Sequence, residues 1–319
     1  MIRSLLVISI FAAAALVAGA VLDPRGYIVR VVCLMLLAAS LGQCWNIVGG
    51  LANQISLGHA AFFGIGAYTT TILQIRYGIS PWIGLFLGAA IAGLVGFLIS
   101  IPTMRLKGSY FALATLAFGE ACRIFATAAA GLTGGPQGIS VPFVGNSWAM
   151  MQFRGAGPYV PILVGLFILI SVIFVVLSNG KLGYLLRATR ESEDAAEVAG
   201  VNTLGVKLAG STISAALTAV VGTMFVQFNF FIDPDIVFNP TSVSIRAALI
   251  TIVGGVGILT GPIFGAIAIV TMEEVLSAYL SNQAAGVAPL IFGGLLIAIV
   301  LWKPAGLSAI SFSRKRALS

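Results

Sequence analysis

Apolar residues run along this chain in long blocks, broken by charges, prolines and glycines. Read between those breaks, the blocks mark approximate segments 4–22, 31–50, 56–75, 81–101, 109–130, 158–178, 206–228, 243–259, 262–280 and 287–302. A helix rising ~1.5 Å per residue needs about 20 apolar residues to cross ~30 Å of hydrocarbon, and the blocks are of that order. Backbone amides find no water partners there, so helix is the predicted state throughout. The irregular stretches between belong at the interfaces or under neighbouring helices. The pattern predicts an all-α membrane protein with about ten transmembrane helices, all of 1–319 forming a single transmembrane domain.

Where the cations fall sets the orientation. With the N-terminus in the cytoplasm, Arg105, Lys107, Lys181, Arg187, Arg190, Lys207 and a basic tail over 303–319 share the cytoplasmic side. The opposite loops carry Arg25, Arg30, Arg76 and Arg154, and the acidic loop around Asp233 and Asp235 carries no cation. This excess of cations inside predicts both termini in the cytoplasm. The first block, with Arg3 ahead of it and Ala18-Gly19-Ala20 near its end, also fits a cleavable signal peptide; its length favours an uncleaved span.

Composition agrees with the pattern. Hydrophobic residues make up 59% of the chain and charged residues 8%, outside the range of soluble domains. The net charge of +7 is spread over short loops and the tail, which argues for topology and against a nucleic-acid partner. Cys33, Cys44 and Cys122 lie at unrelated spacings inside apolar blocks, so neither a disulfide framework nor a metal site is indicated. No phosphate-binding loop occurs, since Gly134-Gly135-Pro136-Gln137-Gly138 lacks the lysine. With one histidine and no nucleophile beside a base, a membrane enzyme is poorly supported, and no cofactor is called for.

Polar residues inside spans are costly and face a cavity or one another. Gln43 and Asn46 stand three apart on the second span; Gln54, Ser56 and His59 open the third. There Gly58, Gly64 and Gly66 suit a broken helix of the kind that exposes polar groups to a substrate near the bilayer midplane. His59 reads as a strut between helices, with a gate as the alternative. Glu120 and Arg123 stand three apart on the fifth span and can pair on one helix face, with Glu120 otherwise part of the path.

The cytoplasmic stretch 181–204 carries the most specific signal. Ser192 can cap a helix whose first turn holds Glu193 and Asp194, and Gly200 suits its stop. Ala195, Val198 and Ala199 then share one face, available either to a partner groove or to lipid headgroups. The run Arg187-Ala188-Thr189-Arg190-Glu191, followed by Ala195-Ala196-Glu197-Val198-Ala199-Gly200-Val201-Asn202, resembles the coupling segment of ABC importer permeases, in particular LivM-type subunits of branched-chain amino-acid importers. Similar motifs continue at 53–68, at 131–139 and from Gly254 to Ala266, in the expected order over most of the chain. The stretch 147–153 has no counterpart.

The resemblance implies an ABC importer permease fold with a cytoplasmic coupling helix, in the bacterial inner membrane. It implies two ABC ATPase subunits as partners, a second related permease and a periplasmic substrate-binding protein. Coupling to the ATPases would rest on Arg187, Arg190, Glu191, Asp194, Ala195, Ala196, Ala199 and Gly200. Leucine, isoleucine and valine are the implied substrates. Urea or short-amide permeases with similar motifs remain an alternative, as does an ion-coupled secondary transporter built on Glu120 and Glu273.

Overall fold

The computed structural model describes residues 2–106, 108–280 and 293–294. Helix α1 (Ile2–Val21) stops ahead of Asp23-Pro24, where proline disfavours helix in the preceding residue. Helix α2 (Tyr27–Trp45) runs on as a π-helical turn, Asn46–Gly50, and residues 53–58 then have no helix before α3 (His59–Tyr77). Gly78, at φ +65°, closes α3: its amide and that of Ile79 bond back to the carbonyls of Gln74 and Leu73. Ser80 caps α4 (Pro81–Thr103), with proline at the first helical position.

Helices α5 (Ser109–Ala128) and α6 (Ala130–Thr133) lead to a two-residue strand β1 (Ile139–Ser140). Then come α7 (Tyr159–Asn179), α8 (Lys181–Glu191), α9 (Glu193–Val198) and α10 (Thr203–Asn229). Strand β2 (Phe231–Ile232) pairs antiparallel with β1, Ile139 opposite Ile232. Helix α11 (Pro234–Val237), a second π-helical turn (Pro240–Ile245), α12 (Arg246–Gly254) and α13 (Gly261–Leu280) follow.

Among the described residues eight helical stretches are long and apolar enough to cross a membrane, which makes this an all-α, multi-pass membrane protein. Helix α3, at 19 residues, is not among them, because His59, Gln74 and Arg76, with Thr69–Thr71, lower its hydropathy. The expected span at 243–259 lies earlier in the chain, at Pro234–Gly254, since the helix ends at Gly254 and Gly255 and Gly257 take positive φ. The expected tenth span, 287–302, and the basic tail lie outside the described residues.

The chain divides into two compact units. One comprises Met1–Asn46, Gly155–Ser171 and the described chain from Ala248 on. In it Thr251 donates to the Gly42 carbonyl at 2.9 Å, and a Cβ on Gly265 would lie 1.8 Å from the Ile250 carbonyl oxygen. Tyr27 donates to the Glu274 carboxylate at 2.5 Å, so this intramembrane acid has a partner.

The other unit comprises Ile47–Arg154 and Val172–Ala247, with α3, α4 and α10 at its centre. In lipid no hydrophobic force drives helices together, so close backbone approach supplies the packing energy. A Cβ at Gly66 would lie 2.1 Å from the Ala219 carbonyl oxygen, and one at Gly222 2.1 Å from that of Phe63. Hydroxyl and amide pairs add hydrogen bonds between these helices, Thr70 with Thr223 at 3.0 Å, Ser100 with Ser211 at 2.8 Å and Gln227 with Gln74 at 2.8 Å.

Candidate translocation and coupling site

Residues 53–58 make a helix break inside the second unit. Asn53 takes φ +54°, which asparagine tolerates better than most residues. The Leu57 amide donates to Thr115 Oγ1 on α5 at 3.0 Å, and the Ala60 amide donates to Ser244 Oγ at 2.8 Å. His59 Nε2 lies 3.0 Å from Ser214 Oγ on α10, and both residues are buried. Ser214 stands eleven residues beyond Thr203, the start of α10, hence about 16 Å along it. Helix α3 therefore begins roughly halfway across the bilayer, and 53–58 fills the remaining depth without helical hydrogen bonds. Such backbone is tolerated at membrane depth only where protein covers it or a cavity adjoins it.

A cavity does adjoin it. It measures about 710 Å³ and is lined by Ala52–Ile55, the start of α5, Thr189–Asp194 and Lys207. Gln54 lies on its wall, 9% exposed, and Gln54 Oε1 has no partner among the described residues. Ser56 is buried, its hydroxyl accepting from the Gly58 amide at 3.4 Å. Of the glycines expected at the break, only Gly58 is part of it. Gly64 and Gly66 lie in regular helix, where Phe238 and Ala219 pack against them.

Gln43 and Asn46 belong to the first unit. Asn46 accepts from the Gly257 amide at 2.7 Å and donates to the Ile258 carbonyl at 3.1 Å. It ties down the turn between α12 and α13, so its amide is spent on structure. Gln43 is fully buried, and neither atom of its amide finds a partner among the described residues. Leaving such a group unpaired costs ~1–3 kcal/mol.

Glu120 pairs with Arg123 at 2.5 Å, and Arg123 also reaches Asp235 at 2.5 Å. Asp235 was not expected in this network, because its partner lies 112 positions away and no local pattern joins them. The six path candidates thus fall in three places: the end of α2 and the first residue of the π-helical turn, the break and the first residue of α3, and α5 beyond Thr115.

The stretch read as a loop with one short helix is two helices. Amphipathic α8 ends at Glu191, and Ser192 Oγ accepts from the Ala195 amide at 3.2 Å to cap α9. Gly200, at φ +84°, terminates it. Ala195 and Ala199 are exposed and Val198 is 91% exposed, an apolar face that none of the described residues covers. Ala196 points the other way, 6% exposed, and packs inward instead of joining that face. Asp194 lines the cavity.

Four polar contacts join this segment to the bundle. Arg190 Nη1 donates to the Gly50 carbonyl, the end of the π-helical turn, at 2.9 Å. Lys207, buried on α10, pairs with Glu193 at 2.5 Å. Thr203 donates to Glu197 at 2.6 Å, while Arg187 donates to the Ser178 carbonyl at 2.7 Å. The roles of Lys207, Thr115, Ser214 and Ser244 had no signature in the sequence, since each depends on a partner 14 or more positions away. Among the described residues no group of three metal-ligating side chains occurs.

A multi-pass helical bundle with a helix interrupted at mid-depth, and a short capped helix exposed beside the interruption, is the construction of a membrane transport component. The chain belongs to the family described as branched-chain amino acid transport system / permease component, whose model matches residues 25–300. It is 32% identical to the high-affinity branched-chain amino acid transport system permease protein LivM of Escherichia coli K12, over 88% of this chain and 69% of that protein. It is 27% identical to the probable LivM of Methanocaldococcus jannaschii, over 82% of this chain and 80% of the relative. The LivH permease of Salmonella typhimurium is 26% identical over 82% of this chain and 88% of the relative. The chain spans about two thirds of the length of the E. coli and S. typhimurium LivM proteins, 69% and 66%. Members of this family are permease components, which carry out no catalysis themselves.

Proposed function

We propose that this chain is the LivM-type permease subunit of an ATP-driven importer of leucine, isoleucine and valine in a bacterial inner membrane. The observation that carries the proposal is the match to the permease family over residues 25–300, joined to a capped helix with an exposed apolar face beside a helix break. Two ATPase subunits, a second related permease and a periplasmic binding protein complete the machine. Gln43, Gln54, Ser56 and Glu120 are the residues assigned to the path. His59 and Asn46 act as struts.

Coupling runs from α9 inward. The ATPases engage Ala195, Val198 and Ala199, and their closure on ATP displaces α8 and α9. Arg190 transmits that displacement to Gly50 and Lys207 transmits it to α10, so the break and the cavity beneath it change shape. Alternating access follows from a shift between two packed arrangements.

The test is uptake of radiolabelled leucine into proteoliposomes holding the chain with its co-purifying partners. Uptake requiring both internal ATP and added binding protein is expected. Uptake driven by an ion gradient without ATP overturns the importer, and ATP-dependent uptake of urea alone replaces the substrate.

A further inference from the structure

The end of the bundle away from α9 carries an apolar loop that the transport reading leaves unused. Helix α10 starts beside α9, where Thr203 bonds to Glu197, and runs for 27 residues, about 40 Å, to Phe230. That length is roughly a bilayer with its headgroup layers, ~40–45 Å. The Phe230 carbonyl accepts from the Val141 amide at 2.8 Å, so the residues that follow, 142–154, lie at the far membrane surface. Among them Phe143 is exposed, Val144 is 80% exposed and Trp148 62%. The loop is nevertheless held firmly from within. Gln152 is buried; its side chain donates to the Pro142 carbonyl at 3.0 Å and accepts from the Val144 amide at 2.9 Å, while its backbone pairs with Ser147. Met151 is buried at φ +51°, a conformation that persists only where the surroundings enforce it. Phe153 packs edge-on against Trp148, ring centroids 4.8 Å apart. The exposed side chains are therefore presented in place, and little ordering remains to be paid when something covers them.

Depth and charge identify the occupant. The Trp148 carbonyl accepts from Trp82 Nε1 at 2.9 Å, and the Ala149 carbonyl accepts from Ser80 Oγ at 2.5 Å. Ser80 is the cap of α4 and Trp82 its second residue, so the turn of the loop sits level with the start of that span. Trp82 stands one helical turn ahead of Phe86, on a face of α4 that also exposes Ile83 and Leu87. With a mean hydropathy of 2.3, that span presents a surface suited to acyl chains, and Trp148 lies at its upper edge. From Gly131 to Pro158 the chain holds no acid, and its single charge is Arg154, whose guanidinium stands 5.6 Å over the Phe143 ring. An indole meets both phases at the boundary between headgroups and hydrocarbon, and a cation there meets phosphate.

We infer that the loop 142–154 is an interfacial anchor, which inserts Val144 and Trp148 into the phospholipid surface of the leaflet opposite α9. Trp148 lies at the level of the glycerol esters and the first acyl carbons, and Arg154 faces the phosphates. The anchor fixes the depth of the α4 start through the two hydrogen bonds from Ser80 and Trp82. It requires only that α4 and α10 span a bilayer, and it stands whether or not the chain imports amino acids.

The experiment places a photo-crosslinking amino acid at Val144, at Trp148 and, as the lipid-facing reference, at Phe86, in the intact complex in native membranes. Val144 joins the hydrogen bonds of the loop through its backbone amide, so a new side chain there leaves them in place. Mass spectrometry is expected to find phospholipid adducts at all three positions. Adducts of Val144 and Trp148 with a binding protein or any other protein overturn the anchor, as does the lack of lipid adducts at both while Phe86 gives them. Trp148→Phe reads the depth independently. In vesicles of phospholipid brominated near the glycerol end of the acyl chain, the emission lost in this variant is expected to be a component quenched by the bromine and spared by aqueous iodide. A lost component that iodide quenches and brominated lipid does not refutes the insertion.

Discussion

Gln43 separates a structural polar residue from a functional one. Its amide is buried and unpaired among the described residues, so removing it relieves a cost that nothing nearby offsets. Gln43→Leu is expected to leave the melting temperature unchanged or raise it, by the equivalent of about 1 kcal/mol, while leucine uptake falls. Raised stability with full uptake would take Gln43 out of the path. Lys207 behaves in the opposite way. Its ammonium is 5% exposed, and Lys207→Met leaves Glu193 without its partner. The cost is roughly 2 kcal/mol, below that of a fully buried pair because Glu193 keeps some water. A thermal melt of the purified protein checks this. Arg190→Met is expected to retain ATPase association and ATP hydrolysis while uptake per ATP drops, because the guanidinium grips the bundle at Gly50. Loss of ATPase binding in that variant would place Arg190 on the docking surface instead.

At the scale of elements, α9 stands on two signals within nine residues, the Ser192 cap and the Gly200 stop. A β-branched side chain at φ +84° costs about 1–2 kcal/mol, so Gly200→Val should loosen α9 and abolish uptake while the protein still reaches the membrane. Glu191→Ala, at the end of α8, is expected to do the same. Normal uptake at normal expression in both variants would refute coupling through this segment. These signals were legible in the sequence because capping is local, as were the spans, because hydropathy is local too. The break at 53–58 was legible through its cluster of polar residues, but its depth was not. Depth comes from Ser214 and Thr115, which become neighbours of the break only on folding. Ala196, named with the coupling residues, is buried, and that burial depends on neighbours that only folding brings behind α9.

For the molecule as a whole, small residues do the work that a hydrophobic core does in water. Gly66→Leu drives a side chain into the backbone of α10 and is expected to cost about 3 kcal/mol or more, seen as a lost monodisperse peak on size-exclusion chromatography. The polar composition of α3 has a further consequence for biogenesis. A segment this polar is expected to partition poorly into the bilayer when it leaves the translocon alone. The tight turn from Gly78 to Ser80 joins it to α4, whose hydropathy of 2.3 is ample. Helix α3 should therefore enter as one half of a hairpin, held at the insertion site until its successor emerges from the ribosome. A glycosylation-mapping reporter would show α3 alone passing into the lumen and the α3–α4 pair staying in the membrane. The residues that break the helix and fill the interior with polar groups thus make the order of synthesis a condition for building it.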